Sequence, residues 1–247
     1  MLDAENIFLT YTEPYLQYGE KIRMKIDHSF RVRDLCAEIS EGTDFSEIER
    51  SLAAACGLLH DIGRFEQWKR YQTFRDEQSV DHGDLGAEIL ESSGLLRGFS
   101  ASDSDAILLA AKYHNKYSLP QAMGERNTKL VKLTRDADKL DILFLLTTGE
   151  IAKKTHNSAF SESVWQSLRT DRGIRKEEIK TKADRIGIYL AFLYDLNYRR
   201  SFEILLERDS VARLIDLQLE EAENPELRRQ LEAIRRHLEG YCRRRVE

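Results

Sequence analysis

Hydrophobic residues recur at intervals of three and four along most of the chain, and short polar loops interrupt them. This is the period of an amphipathic α-helix with one buried face. The pattern predicts helices over about 13–39, 47–59, 82–90, 103–114, 128–146, 183–206, 210–222 and 226–241. Ser46 and Asp81 stand where N-caps are expected, and 64–80 predicts an ordered loop or short helices. The chain is therefore predicted to be all-α.

Composition agrees with a helical globular protein. Of 247 residues, 41% are hydrophobic and 33% charged, with only three prolines. The net charge of -5 argues against general nucleic-acid binding. Membrane insertion is not expected either, because no apolar stretch approaches the roughly 20 residues that span a bilayer. Cys36, Cys56 and Cys242 lack CxxC spacing, and Cys36 and Cys56 fall inside apolar helical patterns, so we expect these two to be buried thiols. Without a signal-peptide pattern, the expected location is cytoplasmic.

Histidines and aspartates recur on the predicted helices at positions that face the core or end a helix. They are His28, the pair His60-Asp61, His82, His114 and Asp138. A carboxylate at a core-facing position is costly unless it is paired or binds a metal. Each residue alone has an ordinary explanation, a hydrogen-bonded core histidine or, for Asp138, an ion pair with Arg135 or Lys139. Taken together, they are typical of a metal site built between helices.

Imidazole and carboxylate ligands without thiolate suit divalent ions that activate water. We expect one or two such ions, and the ligand set alone does not choose among Fe, Mn, Zn, Ni, Co and Mg. The remaining histidines, His156 and His237, have no such neighbours in the sequence and are assigned to the surface.

Over about residues 20–150 the chain resembles the HD-domain superfamily of metal-dependent phosphohydrolases. The resemblance rests on His28, on His60-Asp61 in His-Asp-Ile-Gly-Arg, and on Asp138 in Ala-Asp-Lys-Leu. It implies that these four residues bind one metal, and that His82 and His114 add a second ion as in the dinuclear branch, with Asp61 as the bridge. The implied architecture is an HD-type helical bundle over 1–150 with a helical C-terminal extension over 151–247 that packs on or near it.

The implied activity is hydrolysis of a phosphate ester or anhydride, with a nucleotide or another small phosphate as substrate. Relatives that hydrolyse cyclic dinucleotides carry Gly-Tyr-Pro after the pair, whereas this chain reads Arg64-Phe65-Glu66-Gln67. That activity is therefore not implied. Arg64 stands where many relatives have a lysine near the substrate phosphate, and a guanidinium preserves this role. Asp61 and Arg64 are thus the predicted catalytic residues.

Further substrate contacts are predicted more weakly. Lys116 follows His114 closely and could bind phosphate, although a solvated lysine is the commoner outcome. Arg75 could join a lid over a nucleobase with the aromatic residues of the same segment, whose alternative is core or interface packing. These aromatic residues are Phe65, Trp68, Tyr71 and Phe74.

Two other functions use the same ligand order. One is a mixed-valent di-iron oxygenase of HD type, which resembles the hydrolases in its ligands and has lysines that bind an organic substrate. The other is a non-catalytic regulatory protein that binds metal or nucleotide. The apolar helix predicted over 183–206 carries polar groups that could close the pocket or form a homodimer interface.

Overall fold

The computed structural model describes residues 4–148 and 157–247, and within these ranges the chain forms helices and no β-strand. The α-helices in chain order are α1 Ala4–Thr12, α2 Glu20–Glu41, α3 Glu47–Leu59, α4 Gly63–Tyr71, α5 His82–Ser92, α6 Ala101–Tyr113, α7 Glu125–Thr147, α8 Glu162–Arg169, α9 Asp184–Ala191, α10 Arg199–Glu207, α11 Ser210–Glu221 and α12 Pro225–Arg244. Short 3-10 helices cover Glu13–Tyr18, Asp76–Gln78, Lys176–Glu178 and Phe192–Asp195. The all-α prediction is confirmed.

The chain divides into two compact units, Met1–Asp138 and Lys139–Glu247. In the first unit α2 packs on α3, α3 on α6, and α5 on both α4 and α6. In the second, α12 packs on α8, α10 and α11, and α8 packs on α9. The predicted division between residues 150 and 151 falls outside the described residues and stays a prediction. No helix in the described ranges is long and apolar enough to cross a membrane.

The core of the first unit lies between α2 and α3. Val32, Cys36 and Ile39 on α2 and Ala53 and Leu59 on α3 are fully buried. Val32, Cys36 and Ile39 are spaced by four and three positions, which places them on one face of α2. Each fully buried aliphatic side chain stabilises the fold by about 1.5–3 kcal/mol relative to exposure. This packing fixes the two helices that carry the first histidines of the site.

Two helix starts follow the predicted caps. Ser46 Oγ accepts from the N–H of Glu49 at 3.4 Å, and the Glu49 carboxylate accepts from the N–H of Ser46 at 2.8 Å, which forms a capping box. Asp81 Oδ1 accepts from the N–H groups of Gly83 and Asp84 at 2.9 and 3.1 Å. The predicted helices over 47–59 and 82–90 therefore begin where the side chains dictate.

Two long predicted helices are each interrupted. The prediction over 13–39 is wrong at Gly19, whose φ of 84° separates a 3-10 helix from α2. The prediction over 183–206 is wrong because α9 ends at Ala191, and α10 begins only at Arg199. Between them Asn197 donates its side-chain amide to the carbonyl oxygen of Asp195 at 2.8 Å. Such local side-chain bonds compete with the helical ladder.

Candidate metal centre

All six predicted ligands converge in the first unit. They come from α2, from the turn between α3 and α4, from the first residue of α5, from the C-cap of α6 and from α7. In chain order they are His28, His60, Asp61, His82, His114 and Asp138. Five of them are buried, and the Asp138 side chain is 14% exposed. The cluster therefore lies inside the helical core with one carboxylate reaching its edge.

His28, His60 and Asp138 form one group of ligand atoms. Oδ1 of Asp138 lies 3.2 Å from Nε2 of His28 and 3.6 Å from Nε2 of His60. One ligand atom from each residue lies within 4.8 Å of the other two. Because N and O ligands sit about 2.0–2.2 Å from a bound transition metal, atoms at this spacing can share one ion.

Asp61 joins this group to the other two histidines. Its Oδ1 lies 3.5 Å from Nε2 of His82 and 3.7 Å from Nε2 of His114, while its Oδ2 lies 3.7 Å from Nε2 of His28. Nε2 of His82 and Nε2 of His114 are 2.9 Å apart. The two oxygens of a single carboxylate thus face different histidines.

Backbone carbonyls orient two of the imidazole rings. Nδ1 of His60 is 2.7 Å from the carbonyl oxygen of Gly57, and Nδ1 of His114 is 2.8 Å from that of Ala111. A carbonyl only accepts, so Nδ1 of each ring carries the proton and donates it. Nε2 of each ring therefore keeps its lone pair toward the cluster, as a metal ligand requires.

Both carboxylates of the cluster are stabilised in their charged form. Burial alone would raise the pKa of Asp61, but the Lys25 ammonium and the Arg64 guanidinium hold that pKa well below its usual value. Burial would likewise raise the pKa of Asp138, and the neighbouring His28 and His60 side chains hold it well below its usual value. Both groups are therefore ionised at neutral pH and able to bind a cation.

The pKa values of two imidazoles are lowered as well, which for histidine favours the neutral form. Burial lowers the pKa of His114 well below its ordinary value, with two neighbouring histidines adding to the effect. Burial also lowers the pKa of His82, and the Arg64 guanidinium adds to it. These rings are neutral at pH 7. Neutral imidazole and ionised carboxylate are the protonation states in which such side chains bind metal.

Two buried atoms of the cluster make no hydrogen bond within the described structure. They are Nε2 of His60 and Oδ1 of Asp61. An unsatisfied buried polar atom costs about 1–3 kcal/mol, more when charged, and is rare unless a ligand satisfies it. A donor set of imidazole nitrogens and carboxylate oxygens suits Zn, Fe, Mn or similar ions. The residues present therefore fit a divalent metal.

Two glycines allow the ligand-bearing segments to approach. A Cβ on Gly63 would lie 2.2 Å from the carbonyl oxygen of His82, and a Cβ on Gly83 would lie 2.9 Å from that of Lys112. Both contacts are with backbone, which cannot move aside cheaply. Gly63 thereby brings the turn carrying Asp61 against the start of α5, and Gly83 brings α5 against the end of α6.

Lys25 belongs to the site and was not predicted. Its Nζ lies 2.7 Å from Oδ2 of Asp61 and 5.6 Å from the ring centre of Phe74, with a side chain 16% exposed. A signal existed in the sequence, because Lys25 precedes His28 by three positions and so shares its helix face.

Arg135 is a second residue that was not predicted. One of its guanidinium nitrogens, Nη1, donates to the carbonyl oxygens of Tyr113, His114 and Lys116 at 2.7, 3.1 and 2.6 Å. These carbonyls end α6, where a cation is favourable. Arg135 is 3% exposed and therefore fixes the backbone that carries His114. Lys139 instead pairs with Asp195 at 2.8 Å.

Arg64 lies beside Asp61 of the cluster. Its Nε is 3.3 Å from Oδ1 of Asp61, and its Nη1 donates to the carbonyl of Phe74 at 2.6 Å, to Gln67 at 2.9 Å and to Asp76 at 3.1 Å. Most of the guanidinium edge is thus held by the protein. Contact of this residue with substrate stays a prediction.

The structure does not bring the two weaker candidates to the cluster by any direct contact. Lys116 Nζ lies 2.8 Å from Oδ2 of Asp81 and 2.7 Å from Oδ2 of Asp84, so its charge is compensated at the start of α5. Arg75 is exposed beside the 3-10 helix Asp76–Gln78. Their roles as substrate contacts stay predictions.

The aromatic residues of the same segment have different surroundings. Phe65 is fully buried against Phe8, with ring centres 5.8 Å apart, and is a core residue rather than part of a lid. Trp68 packs on Phe74 at 4.7 Å, while Tyr71 is 42% exposed. Phe74 also lies 5.9 Å from the Arg64 guanidinium, so its ring is beside the cationic edge of the site.

The remaining histidines do not join the cluster as far as the structure describes them. His237 is partly exposed and pairs with Asp171 at 2.7 Å. His156 lies outside the described residues.

Comparison with known proteins gives one match. Residues 26–143 match a family model described as HD domain. This range contains all six clustered ligands, and it lies within the segment 20–150 over which the sequence resembles that superfamily. A comparison with curated proteins gave no match, and neither did a comparison with solved structures.

Proposed function

Because residues 26–143 are an HD domain, we propose that this chain is a metal-dependent phosphohydrolase that cleaves a phosphate ester or anhydride, preferably of a nucleotide. One observation carries the proposal: the oxygens of Asp61 face two different sets of histidines within a buried cluster. A carboxylate so placed can bridge two ions, and paired ions are a common device for phosphoryl transfer.

We assign the ligands to two ions that share Asp61. His28, His60 and Asp138 would hold the first together with Asp61, in agreement with their spacing of 3.2–3.6 Å. His82 and His114 would hold the second from the opposite side of the carboxylate. Their close approach supports this assignment, because two neutral rings with Nε2 atoms 2.9 Å apart point at the same place.

Divalent ions bound here would lower the pKa of a coordinated water and neutralise phosphoryl charge. The protein itself offers Lys25 and Arg64 for the developing charge on the phosphoryl oxygens. Both flank Asp61 and keep about 15% of their side-chain surface exposed. Since the Nη1 nitrogen of Arg64 is held by Gln67 and Phe74, we propose that Arg64 reaches a phosphoryl oxygen through Nη2.

Lys25 also favours a second candidate function. Oxygenases of HD type resemble the hydrolases in their ligands and bind an organic substrate through lysines near the site. Lys25 provides such a lysine 2.7 Å from the central carboxylate. A di-iron oxygenase is therefore the alternative activity, and only the chemistry supported by the bound metal separates the two.

The test begins with elemental mass spectrometry on protein purified without oxygen or chelator. We expect about two ions per chain, fewer in His82→Ala and His114→Ala, and no change in His237→Ala, whose histidine pairs with Asp171. One ion per chain, unaffected by the first two substitutions, would contradict the dinuclear assignment.

The same preparation is then assayed for phosphate release and for oxygen uptake. Release from nucleotide monoesters, diesters or anhydrides without oxygen consumption supports the hydrolase. Iron-dependent oxygen consumption with an organic substrate supports the oxygenase instead. Bound metal with neither activity would reject both enzymes and leave a regulatory metal-binding domain.

A further inference from the structure

Asp76 is a carboxylate outside the predicted ligand set that touches one of its members. It begins the short 3-10 helix between α4 and α5. Its Oδ1 and Oδ2 lie 2.9 and 2.8 Å from Nδ1 of His82. Because an ionised carboxylate only accepts, the Nδ1 of His82 must carry the proton, and Nε2 must face the cluster with its lone pair.

This support differs in charge from that of two other rings. His60 and His114 donate from Nδ1 to backbone carbonyls, whereas His82 donates to a carboxylate. A carboxylate behind a metal-bound imidazole fixes its orientation and makes it a stronger donor to the metal. His82 is therefore supported by a side chain that a single substitution can alter without disturbing the backbone.

Asp76 is itself held rigidly. The fully buried Gln67 donates its amide to Oδ1 of Asp76 at 3.0 Å, to Oγ of Ser79 at 2.9 Å and to the carbonyl of Val80 at 2.9 Å. The carboxylate is thus fixed in place.

The same carboxylate also reaches the cationic edge of the site. Nη1 of Arg64 lies 3.1 Å from Oδ1 of Asp76 and 2.9 Å from Oε1 of Gln67. Asp76 therefore touches both a predicted metal ligand and the predicted phosphate-binding guanidinium. One side chain links the two roles.

We infer that Asp76 is a positioning residue, which orients His82 for the second ion and Arg64 for the substrate phosphate through one carboxylate. The inference rests on the proposed function, since it assigns work to a ligand of the proposed dinuclear site. It predicts that loss of the Asp76 charge lowers the affinity for the second ion more than that for the first, because Asp76 directly contacts His82, a ligand of the second ion.

The experiment titrates metal-free protein with Zn²⁺ or Mn²⁺ against a chelating dye, which measures both affinities without any activity assay. In Asp76→Asn we expect the affinity for the second ion to fall about 10–100-fold, with the first unchanged. Asp76→Glu should restore part of the loss. Glu77→Gln, an exposed acid at the next position of the same 3-10 helix, is the matched control and should bind both ions normally.

The outcomes separate the two hypotheses. If wild-type protein binds no ion, the proposed function fails. If wild type binds two ions and Asp76→Asn binds both with wild-type affinity, the inference fails while the proposed function stands. An equal loss of both ions would also overturn the inference, because it would indicate a general structural role.

A measurement on the wild-type protein alone covers the case in which Asp76→Asn does not fold. Nitrogen-15 NMR of metal-free protein reports the tautomer of each histidine. We expect His82 to carry its proton on Nδ1. A proton on Nε2 of His82 would overturn the inference independently of any variant.

Discussion

Two buried aspartates, one in each unit, show how burial can serve different ends. Asp61 is 2% exposed in the first unit, and Asp184 is fully buried in the second. Asp184 accepts from the backbone N–H groups of Ser161, Lys180 and Thr181 at 2.8, 2.8 and 2.9 Å. Asp61 meets side chains instead, and its Oδ1 makes no hydrogen bond in the described structure.

The partners, rather than the burial, distinguish a structural carboxylate from a functional one. Backbone amides around Asp184 satisfy it fully and lower its pKa against the effect of burial. The pKa of Asp61 is also low, but through the side-chain charges of Lys25 and Arg64. A carboxylate whose oxygens are hydrogen-bonded to backbone stabilises the fold, whereas we expect one with an oxygen that makes no hydrogen bond to be available to a metal. The same substitution at both positions tests this contrast.

The largest effect is expected for Asp61→Asn. Loss of the shared charge should abolish binding of the second ion, weaken the first, and lower phosphohydrolase activity by about 10³-fold or more, about 4 kcal/mol in transition-state free energy. Metal-free stability should change by less than about 1 kcal/mol, because Lys25 can turn to water. Metal titration and urea unfolding measure the two effects, with Asp34→Asn, an exposed acid on α2, as control. A large loss of stability in the metal-free protein would indicate that Asp61, like Asp184, mainly stabilises the fold.

Asp184→Asn should give the opposite result. An asparagine offers one acceptor oxygen, and its amide group would face a backbone donor, so we expect a loss of about 2–3 kcal/mol in the free energy of unfolding. Metal affinity should stay at the wild-type value. Urea unfolding beside Asp216→Asn, a half-exposed acid on α11, gives the comparison. If the free energy of unfolding were unchanged in Asp184→Asn, the proposed contrast between Asp184 and Asp61 would be wrong.

Arg135→Met should show an intermediate pattern, because Arg135 satisfies backbone carbonyls within the metal-binding unit. Loss of its donor would leave the end of α6 unsatisfied and displace His114. We expect the free energy of unfolding to fall by about 1–2 kcal/mol and the affinity for the second ion to fall several-fold. Arg126 lies on α7, as Arg135 does, but its side chain is partly exposed. Arg126→Met should therefore change neither the stability nor the affinity for the second ion by much. An effect on stability alone would show that the α6 end does not govern His114.

The smallest effect concerns acid. The folded-state pKa of Asp184 lies below its unfolded value of about 3.9, so its stabilisation is complete above that value and is lost as pH falls through the folded pKa. The stability difference between wild type and Asp184→Asn should therefore be constant from pH 7 to 5 and narrow below about pH 4. Urea midpoints at pH 3, 4, 5 and 6 measure it. A difference that widens on acidification would contradict the assigned direction.

Local chemistry made much of the fold predictable. Ser46 and Asp81 cap helices through bonds spanning two or three residues, and the period of apolar positions predicts which faces are buried. The breaks in the two interrupted helices were not predicted, because the hydrophobic periodicity continues through Gly19 and through the segment after Ala191, where the α-helix itself does not continue. The hydrophobic pattern indicates which positions are buried, but it does not show where the helical backbone breaks.

The site was predictable to the extent that its residue types are distinctive. Histidines and aspartates in a recurring order predicted six candidate ligands, and the structure brings all six together, while their binding of metal stays a prediction. Arg135 could not be predicted, since its partners are carbonyl oxygens about twenty positions away that carry no residue identity. Asp76 contacts His82 through a loop whose path follows from the packing of Gln67. Residues that support the ligands, such as Arg135 and Asp76, are identified by their proximity in the folded structure and not by their sequence pattern.

The candidate ligands are widely spaced along the chain, so binding of a metal would be coupled to folding of the first unit. From His28 to Asp138 they span most of the first unit and meet only when α2 through α7 have docked. An unfolded chain has no comparable site, so by mass action an ion at 100 times its dissociation constant would add about 2.7 kcal/mol to the stability of the native state. Resistance of this unit to proteolysis would then report the metal concentration around it.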